Sequence, residues 1–205
     1  IDALLLAPPV LVYLAAQPER RLTRVASFLL PLGGTLAGLG LYNAARFGSP
    51  LQTGYSEGDT YAVRDTHPVH SLVSLAEGLY GLLISPGKGL FEYAPAALLA
   101  PIGAVALWAR RRAEAALLLA LIAITLIAHA NILIRWLGGW SWGPRFLVPV
   151  LPLILLLVAP LLRPDNPHGR RVRGALWVFA ALGILVQLPA LAVKEPYAYI
   201  STLQP

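Results

Sequence analysis

The sequence predicts an all-α protein, a polytopic bundle of transmembrane helices with an amphipathic interfacial helix in a long outer loop. Hydrophobic residues make up 57% of the 205 residues and charged residues only 13%, about half the charged fraction of a soluble domain. Six apolar runs approach or reach the length of about 20 residues that crosses a bilayer. These predicted spans lie at residues 1–16, 25–45, 94–109, 113–134, 146–162 and 174–193.

The first run is typical of the later part of a spanning helix. It has no basic residues before it and is interrupted by Pro8 and Pro9, unlike a signal peptide. The chain begins with Ile1 and contains no methionine, so we expect residues 1–205 to be the C-terminal portion of a larger membrane protein. Because the sequence has no cysteine, disulfides and thiolate metal sites are excluded within it.

The basic residues alternate with the apolar runs and predict the orientation of the chain. The formal net charge is +6, and ten of the sixteen lysines and arginines lie in three short loops, at 17–24, 110–112 and 163–173. Because short cytoplasmic loops carry an excess of Lys and Arg, these loops are predicted to face the cytoplasm. A nucleic-acid-binding surface would gather its basic residues in one stripe, so no nucleic acid partner is expected.

The outer loop at residues 46–93 is too long for a simple hairpin and contains a helical pattern. The apolar positions are Val69, Leu72, Val73, Ala76, Leu79, Tyr80 and Leu83, and the opposite face carries His70, Ser74, Glu77 and Gly81. This spacing predicts an amphipathic helix along the membrane surface. His70 and Glu77 share the polar face, where they can bind a substrate hydroxyl, act as an acid and base pair, or simply be solvated.

A glycine-flanked lysine, Lys88, follows this helix in a predicted exposed turn. A nucleotide-binding loop needs Gly, four residues, Gly-Lys and then Ser or Thr after a strand. Gly81 lies one residue too far from Gly87, and Gly89 occupies the hydroxyl position, which excludes that motif. Two interpretations remain: Lys88 meets an anionic headgroup, or it is solvated.

The histidines of the outer loop give only a weak metal signal. His67 and His70 are separated by Pro68, and Asp59 and Asp65 lie upstream. This spacing does not match a regular metal-binding helix. A divalent metal is therefore the one cofactor left open, and no metal ligand is assigned.

Three polar residues lie near the outer end of the fourth run, at His129, Asn131 and Arg135. Polar groups are costly in hydrocarbon and usually have partners there. These residues either form hydrogen bonds between helices or line a functional path.

A tryptophan-rich loop at residues 136–145 connects the fourth and fifth runs. Its indoles suit the headgroup region of a membrane, and its glycines allow sharp backbone turns. Trp140 and Trp142 precede Arg145, the one charged residue of the loop. The loop is either an aromatic belt that closes a hairpin or a pocket for a lipid phosphate or a sugar.

Three separated segments resemble one family, the bacterial polytopic, lipid-carrier-dependent glycosyltransferases of the protein-mannosyltransferase-like group. The segments are Leu41-Tyr42-Asn43 with residues 46–55, the run at 81–95 that contains Ser85-Pro86-Gly87-Lys88-Gly89 and Tyr93, and the run at 138–152 that contains Trp140-Ser141-Trp142-Gly143-Pro144-Arg145. Relatives often have arginine at the position of Lys88. The resemblance covers about residues 41 to 152.

The resemblance implies a GT-C architecture and a polyprenyl-phosphate-linked sugar as donor. The active site would lie at the outer face of a bacterial inner (plasma) membrane, among membrane lipids, with an acceptor that the sequence does not identify. The catalytic acidic residue of such enzymes lies in a first outer loop that has no counterpart here, so no catalytic residue is carried over. Lys88 and Arg145 would stabilise the leaving phosphate, and Tyr93, Trp140 and Trp142 would belong to the same binding site.

Two alternative functions belong to other classes. One is a transporter or channel subunit in which His129 and Arg135 line a path, and the other is a non-catalytic membrane scaffold. Transporters often carry repeated halves and helices broken near the midplane. Here the unusual residues gather at the outer side, which favours an interfacial enzyme.

Overall fold

The described part of the chain is all-α, as the sequence predicts. The computed structural model describes residues 2–52, 72–132 and 143–192, and these residues contain helices and no strand. The α-helices are α1 (Asp2–Ala16), α2 (Arg21–Phe47), α3 (Leu72–Leu83), α4 (Leu90–Tyr93), α5 (Ala100–Arg110), α6 (Arg112–Ile127), α7 (Leu151–Val158) and α8 (Gly169–Ala192). Short 3-10 helices lie at Pro95–Leu99, Arg145–Val150 and Ala159–Leu162, and a π-helix lies at Ala128–Ile132.

Among the residues that the structure describes, four stretches are long and apolar enough to cross a membrane: Arg21–Phe47, Arg112–Ala130, Arg145–Leu162 and Gly169–Pro189. They correspond to four of the six predicted spans. The other two correspond to shorter apolar helices, Leu4–Ala16 and Pro95–Arg110. Large side chains on these helices are strongly exposed, including Trp177 at 78% and Ile184 at 63%. Extensive exposed apolar surface is unfavourable in water and ordinary in lipid, which fits a membrane protein.

The helices form two compact units, one at Ala7–Pro68 and one at Val69–Pro205 together with Ile1–Leu6. In the first unit, α2 ends at Phe47 and is capped by Gly48, which has a φ of +83° and donates its N–H to the carbonyl oxygen of Ala44. The amide of Asn43 donates to the carbonyl oxygen of Pro50 at 3.2 Å, which fixes the turn after the helix.

The core of the second unit lies among α5, α6, α7 and the 3-10 helix at Arg145–Val150. Leu147 and Val150 are fully buried there, and Leu157 is 3% exposed. The two helices α5 and α7 approach each other closely at Gly103, where an added Cβ would overlap the carbonyl oxygen of Leu157. Helices in membranes often pack through such small residues, because these let the two backbones come close together.

The second unit has two opposite ends, which are named here by their charged residues. The arginine end holds Arg110, which lies 3.1 Å from Asp165 in the loop after α7. The lysine end, named for Lys88, holds Tyr93. The ring of Tyr93 would lie 3.1 Å from a Cβ at Gly143, just before the span that leads into α7. The helix α5 lies between these two ends, and its 11 residues at about 1.5 Å each span about 16 Å. The loops after α5 and α7 therefore lie together, as their shared basic character predicts.

The helix α3 packs across the lysine end, against the π-helix at Ala128–Ile132. A Cβ at Gly78 would overlap the backbone of Ala130, and Gly81 and Leu82 are buried on the same side. The predicted polar assignment of Gly81 is therefore wrong. Hydrophobic periodicity reads Gly as neutral, but close backbone contact selects it for the buried face.

The predicted apolar face of α3 is buried only in part. Leu79 and Leu83 pack against the core as predicted. Val73 is 61% exposed and Tyr80 is 56% exposed, so these two side chains do not pack into the bundle. The buried stripe is therefore rotated toward the glycines relative to the stripe that hydrophobicity alone predicts.

Candidate functional site

Lys88 lies in a tight turn between α3 and α4. The N–H of Gly89 donates to the carbonyl oxygen of Ser85 at 2.7 Å, and the Ser85 hydroxyl donates to the carbonyl oxygen of Gly81 at the same distance. A Cβ at Gly89 would lie 2.7 Å from the carbonyl oxygen of Ser85, so the turn requires glycine there. Lys88 is only 7% exposed in this turn. The prediction of a solvated, exposed lysine is therefore wrong, because tertiary packing closes over the turn.

Arg145 begins the 3-10 helix that leads into α7. The preceding Gly143 has a φ of +66°, a left-handed conformation that favours glycine. The N–H of Arg145 donates to the carbonyl oxygen of Gly143 at 3.0 Å. The Arg145 guanidinium lies over the ring of Phe146, with 5.0 Å between its Cζ and the ring centroid. The turn and the ring together hold the arginine head at the lysine end.

Lys88 and Arg145 lie close enough to affect each other, and we call them the cation pair. Burial lowers the pKa of Lys88, and the positive charge of Arg145 lowers it further. The two residues are 57 positions apart in the sequence, in separate predicted segments. The fold thus places the exposed Arg145 near the buried Lys88, and two neighbouring cations favour an anion.

Tyr93 connects the two loops that carry the cation pair. Its hydroxyl donates to the carbonyl oxygen of Gly87 at 3.1 Å, next to Lys88. Its ring lies against Gly143, where an added Cβ would be 3.1 Å from Cδ1 and 3.3 Å from Cε1 and Cγ. The predicted site residues Lys88, Tyr93 and Arg145 therefore belong to one cluster, in which Tyr93 positions the two cationic loops.

Phe146 extends this cluster toward the π-helix at Ala128–Ile132. It was not singled out in the sequence. Its ring lies 4.9 Å from the ring of His129, with an angle of 30° between the planes. His129 is 3% exposed, and its Nδ1 lies 2.9 Å from the carbonyl oxygen of Thr125. A carbonyl only accepts, so Nδ1 carries the proton in this contact. His129 thus supports the Phe146 ring beneath Arg145. His129 itself lies in the π-helix, a distortion often found near functional sites.

Glu92 is a second residue that was not singled out in the sequence, and it is charged. Its Oε2 is buried and has no hydrogen-bond partner in the described part of the chain. Burial raises the pKa of this carboxyl group. The sequence signal that could have identified Glu92 is its position as the one acidic residue in the apolar stretch Leu90-Phe91-Glu92-Tyr93.

An apolar groove begins beside the cluster and runs along α8. Its volume is about 530 Å³, and Tyr93 lies at its boundary together with Pro95, Leu151, Leu155, Phe179 and Ile184. The groove and the cluster therefore share Tyr93, which also contacts Gly87 and Gly143. A ligand with an anionic head and a long apolar chain fits this combination of surfaces.

The remaining predicted site residues are not brought into the cluster by any described contact. Glu77 is exposed on α3. His70, Trp140 and Trp142 lie outside the described residues, as do His67 and Arg135. Within residues 2–52, 72–132 and 143–192, no three His, Cys, Asp or Glu side chains gather as metal ligands.

Comparisons with known proteins add no family assignment to this geometry. The resemblance of the three segments rests on their own residues, and two of those segments supply the cation pair. Searches of protein-family models, curated proteins and solved structures give no significant match.

Proposed function

We propose that the chain is the C-terminal half of an integral membrane glycosyltransferase. This enzyme moves a sugar from a polyprenyl-phosphate donor to an acceptor at the outer face of a bacterial plasma membrane. The observation that carries the proposal is the cation pair. Lys88 and Arg145 come from two segments that resemble the same enzymes, and they lie close enough for Arg145 to lower the pKa of Lys88.

A phosphate would be stabilised by two cations held near each other. A lysine ammonium that is removed from water beside a guanidinium is destabilised both by desolvation and by repulsion. A phosphate oxygen bound to each cation offsets both effects, because charge-assisted hydrogen bonds contribute about 1.5–3 kcal/mol each. If the phosphate is the leaving group, the same cations stabilise the negative charge that develops as the sugar departs.

Arg145 and Lys88 would take different parts in binding the phosphate. Arg145 offers a planar fork of N–H donors that matches two phosphate oxygens, and its charge persists at any physiological pH. Lys88 offers a compact charge in a buried turn, where its 7% exposure limits competition from water. Tyr93 keeps the two loops in register through Gly87 and Gly143.

The apolar groove supports a lipid-linked donor rather than a soluble nucleotide sugar. Its boundary at Tyr93 lies beside the cationic loops, and its wall along α8 includes Phe179 and Ile184. An isoprenoid chain in the groove would place its phosphate near Lys88 and Arg145. Trp140 and Trp142 are proposed to stack on the sugar, and no catalytic base or metal ligand is assigned.

A transport function has less support. That alternative uses His129 to line a path, but the side chain is 3% exposed and packs against Phe146. Its Nδ1 is also used by the Thr125 carbonyl oxygen. His129 is better explained as the support for the ring beneath Arg145.

A binding measurement tests the phosphate assignment directly. The protein in detergent is titrated with a polyprenyl phosphate and, separately, with the polyprenol of the same chain length. We expect the phosphate to bind at least about tenfold more tightly, which is about 1.4 kcal/mol. The variants Lys88→Gln and Arg145→Gln should each lose about tenfold in affinity for the phosphate and little for the polyprenol.

Arg170→Gln is the matched control, because it removes one positive charge from the start of α8, at the arginine end. Its affinity for polyprenyl phosphate should stay within about twofold of the unsubstituted protein. Equal binding of phosphate and polyprenol, or an equal loss in Arg170→Gln, would show that the cation pair is not a phosphate site.

A further inference from the structure

The arginine end contains a second cavity, separate from the cation pair and from the apolar groove. Its volume is about 300 Å³, and Arg110, Arg111 and Arg163 surround an apolar floor that includes Leu107, Leu156 and Ala159. The cavity lies where α5 and the span Arg145–Leu162 end and where the span Arg112–Ala130 begins. It is therefore at the boundary between apolar helix surfaces and a polar loop region, and α5 separates it from the lysine end.

The charges around this cavity are only partly balanced. Arg110 Nη2 lies 3.1 Å from Asp165 Oδ2, and Arg163 Nε lies 3.2 Å from Asp165 Oδ1. Arg111 Nη1 lies 3.6 Å from Glu114. One carboxylate thus serves two of the three arginines, and the five side chains carry a net charge of +1.

The shared carboxylate also organises the arginines. The two carboxylate oxygens of Asp165 accept one hydrogen bond each, from Arg110 and from Arg163. Both guanidinium groups are therefore held at the cavity rim. Each guanidinium has five N–H donors, and one bond to Asp165 leaves most of them available. A phosphodiester can therefore bind the remaining donors without displacing Asp165.

We propose that this cavity is a binding site for an anionic phospholipid, whose phosphate contacts the three arginines and whose acyl chains lie on the apolar floor. Charge complementarity selects an anion, and the floor of Leu107 and Leu156 selects one with an attached hydrocarbon chain. A soluble phosphate would use only the rim. The site is independent of the proposed glycosyltransferase function, because it shares no residue with the cation pair.

Ordinary attraction between arginines and headgroups would not need a cavity. In that case every arginine at this end would contribute similarly, since each would simply extend toward the headgroups. Arg170 and Arg171 provide the comparison, because they are exposed in the first turn of α8 and do not line the cavity. A built site predicts that the two pairs of arginines differ in their effect.

Native mass spectrometry of the detergent-solubilised protein tests the proposal, with phosphatidylglycerol and phosphatidylcholine of identical acyl chains as probes. We expect phosphatidylglycerol to bind at least about fivefold more tightly. R110Q/R111Q should lose most of that preference, while R170Q/R171Q, with the same loss of charge, should change it by less than about twofold. Glycerol phosphate at millimolar concentration should not displace the lipid.

Three results would overturn the proposal. These are equal binding of the two lipids, equal losses in the two double variants, or displacement by glycerol phosphate, which would indicate a site for a soluble anion. Both variants are first compared by melting temperature. If R110Q/R111Q does not fold, R111Q alone replaces it, because Arg111 pairs only with the neighbouring Glu114 in the described structure. No loss of preference in R111Q, when the protein is folded, counts against the site.

Discussion

Gly143→Ala is the most informative single change at the lysine end, because two independent contributions to its free-energy cost can be calculated from the structure. The φ of Gly143 is +66°, and an alanine in that conformation costs about 1–2 kcal/mol. Its Cβ would also lie 3.1 Å from Cδ1 of Tyr93, closer than an ordinary contact. The ring must then move by a few tenths of an ångström.

Movement of the ring also threatens the hydrogen bond from Tyr93 to Gly87. That bond is already 3.1 Å long, and losing it costs about 0.5–1.5 kcal/mol. The summed destabilisation is about 1.5–3.5 kcal/mol, which corresponds to a decrease of about 3–14 °C in melting temperature for a chain of this size. Because Arg145 follows two residues later, we also expect weaker binding of polyprenyl phosphate.

The measurement is thermal unfolding of the detergent-solubilised protein, followed by tryptophan fluorescence. Gly34→Ala in α2 is the control, since a Cβ there meets nothing within 4 Å and alanine favours a helix. A Tyr93→Ala background should recover the part of the loss that arises from ring contact and retain the part that arises from φ. If Gly143→Ala unfolds at the same temperature as Gly34→Ala, the described loop geometry is wrong.

Three further predictions concern the charged residues at this end. Arg145→Lys in the full-length protein should reduce sugar transfer from the lipid-linked donor by about tenfold or more, about 1.4 kcal/mol, at unchanged membrane abundance. Normal transfer would mean that Arg145 only anchors the helix end. Because the pKa of Lys88 is lowered from 10.5, polyprenyl-phosphate affinity should fall as pH rises through that lowered value. Lys88→Arg should retain affinity there, and an unchanged pH profile would exclude Lys88 from the contact. The raised pKa of Glu92 means that the folded state binds the extra proton, so stability should fall as pH rises from about 4.5 through the raised pKa. Melting curves of Glu92→Gln should lack this fall, and a persistent fall would point to another group.

The long apolar helices were predictable because their signal is local. A run of apolar residues has to be buried in lipid or protein wherever it lies, and the predicted run at 25–45 corresponds closely to α2 (Arg21–Phe47). The run at 146–162 was also predicted, but the types of helix within it were not. Pro149 and Pro160 remove backbone donors, and the observed segment alternates between 3-10 and α-helix around them.

The site was predictable only as separate residues. Lys88 and Arg145 were each singled out from their own loop, but their proximity depends on how α3, α4 and the Arg145 segment pack together. The burial of Lys88 depends on the same packing, which no pattern within residues 87–89 encodes. Phe146 and Glu92 were missed because an aromatic residue and an acid beside an apolar run are common, and only their contacts and burial distinguish them.

The contact between α5 and α7 at Gly103 also sets the spacing of the two cations. Both helices run from the lysine end to the arginine end, and Lys88 precedes one while Arg145 precedes the other. Since the backbone of α7 fills the place of a Cβ at Gly103, neither helix can slide by one turn past the other without a collision. The contact lies 15 residues from Lys88 on one helix and 12 residues from Arg145 on the other. An arriving anion therefore meets two charges whose separation is already set, and little order has to be created on binding.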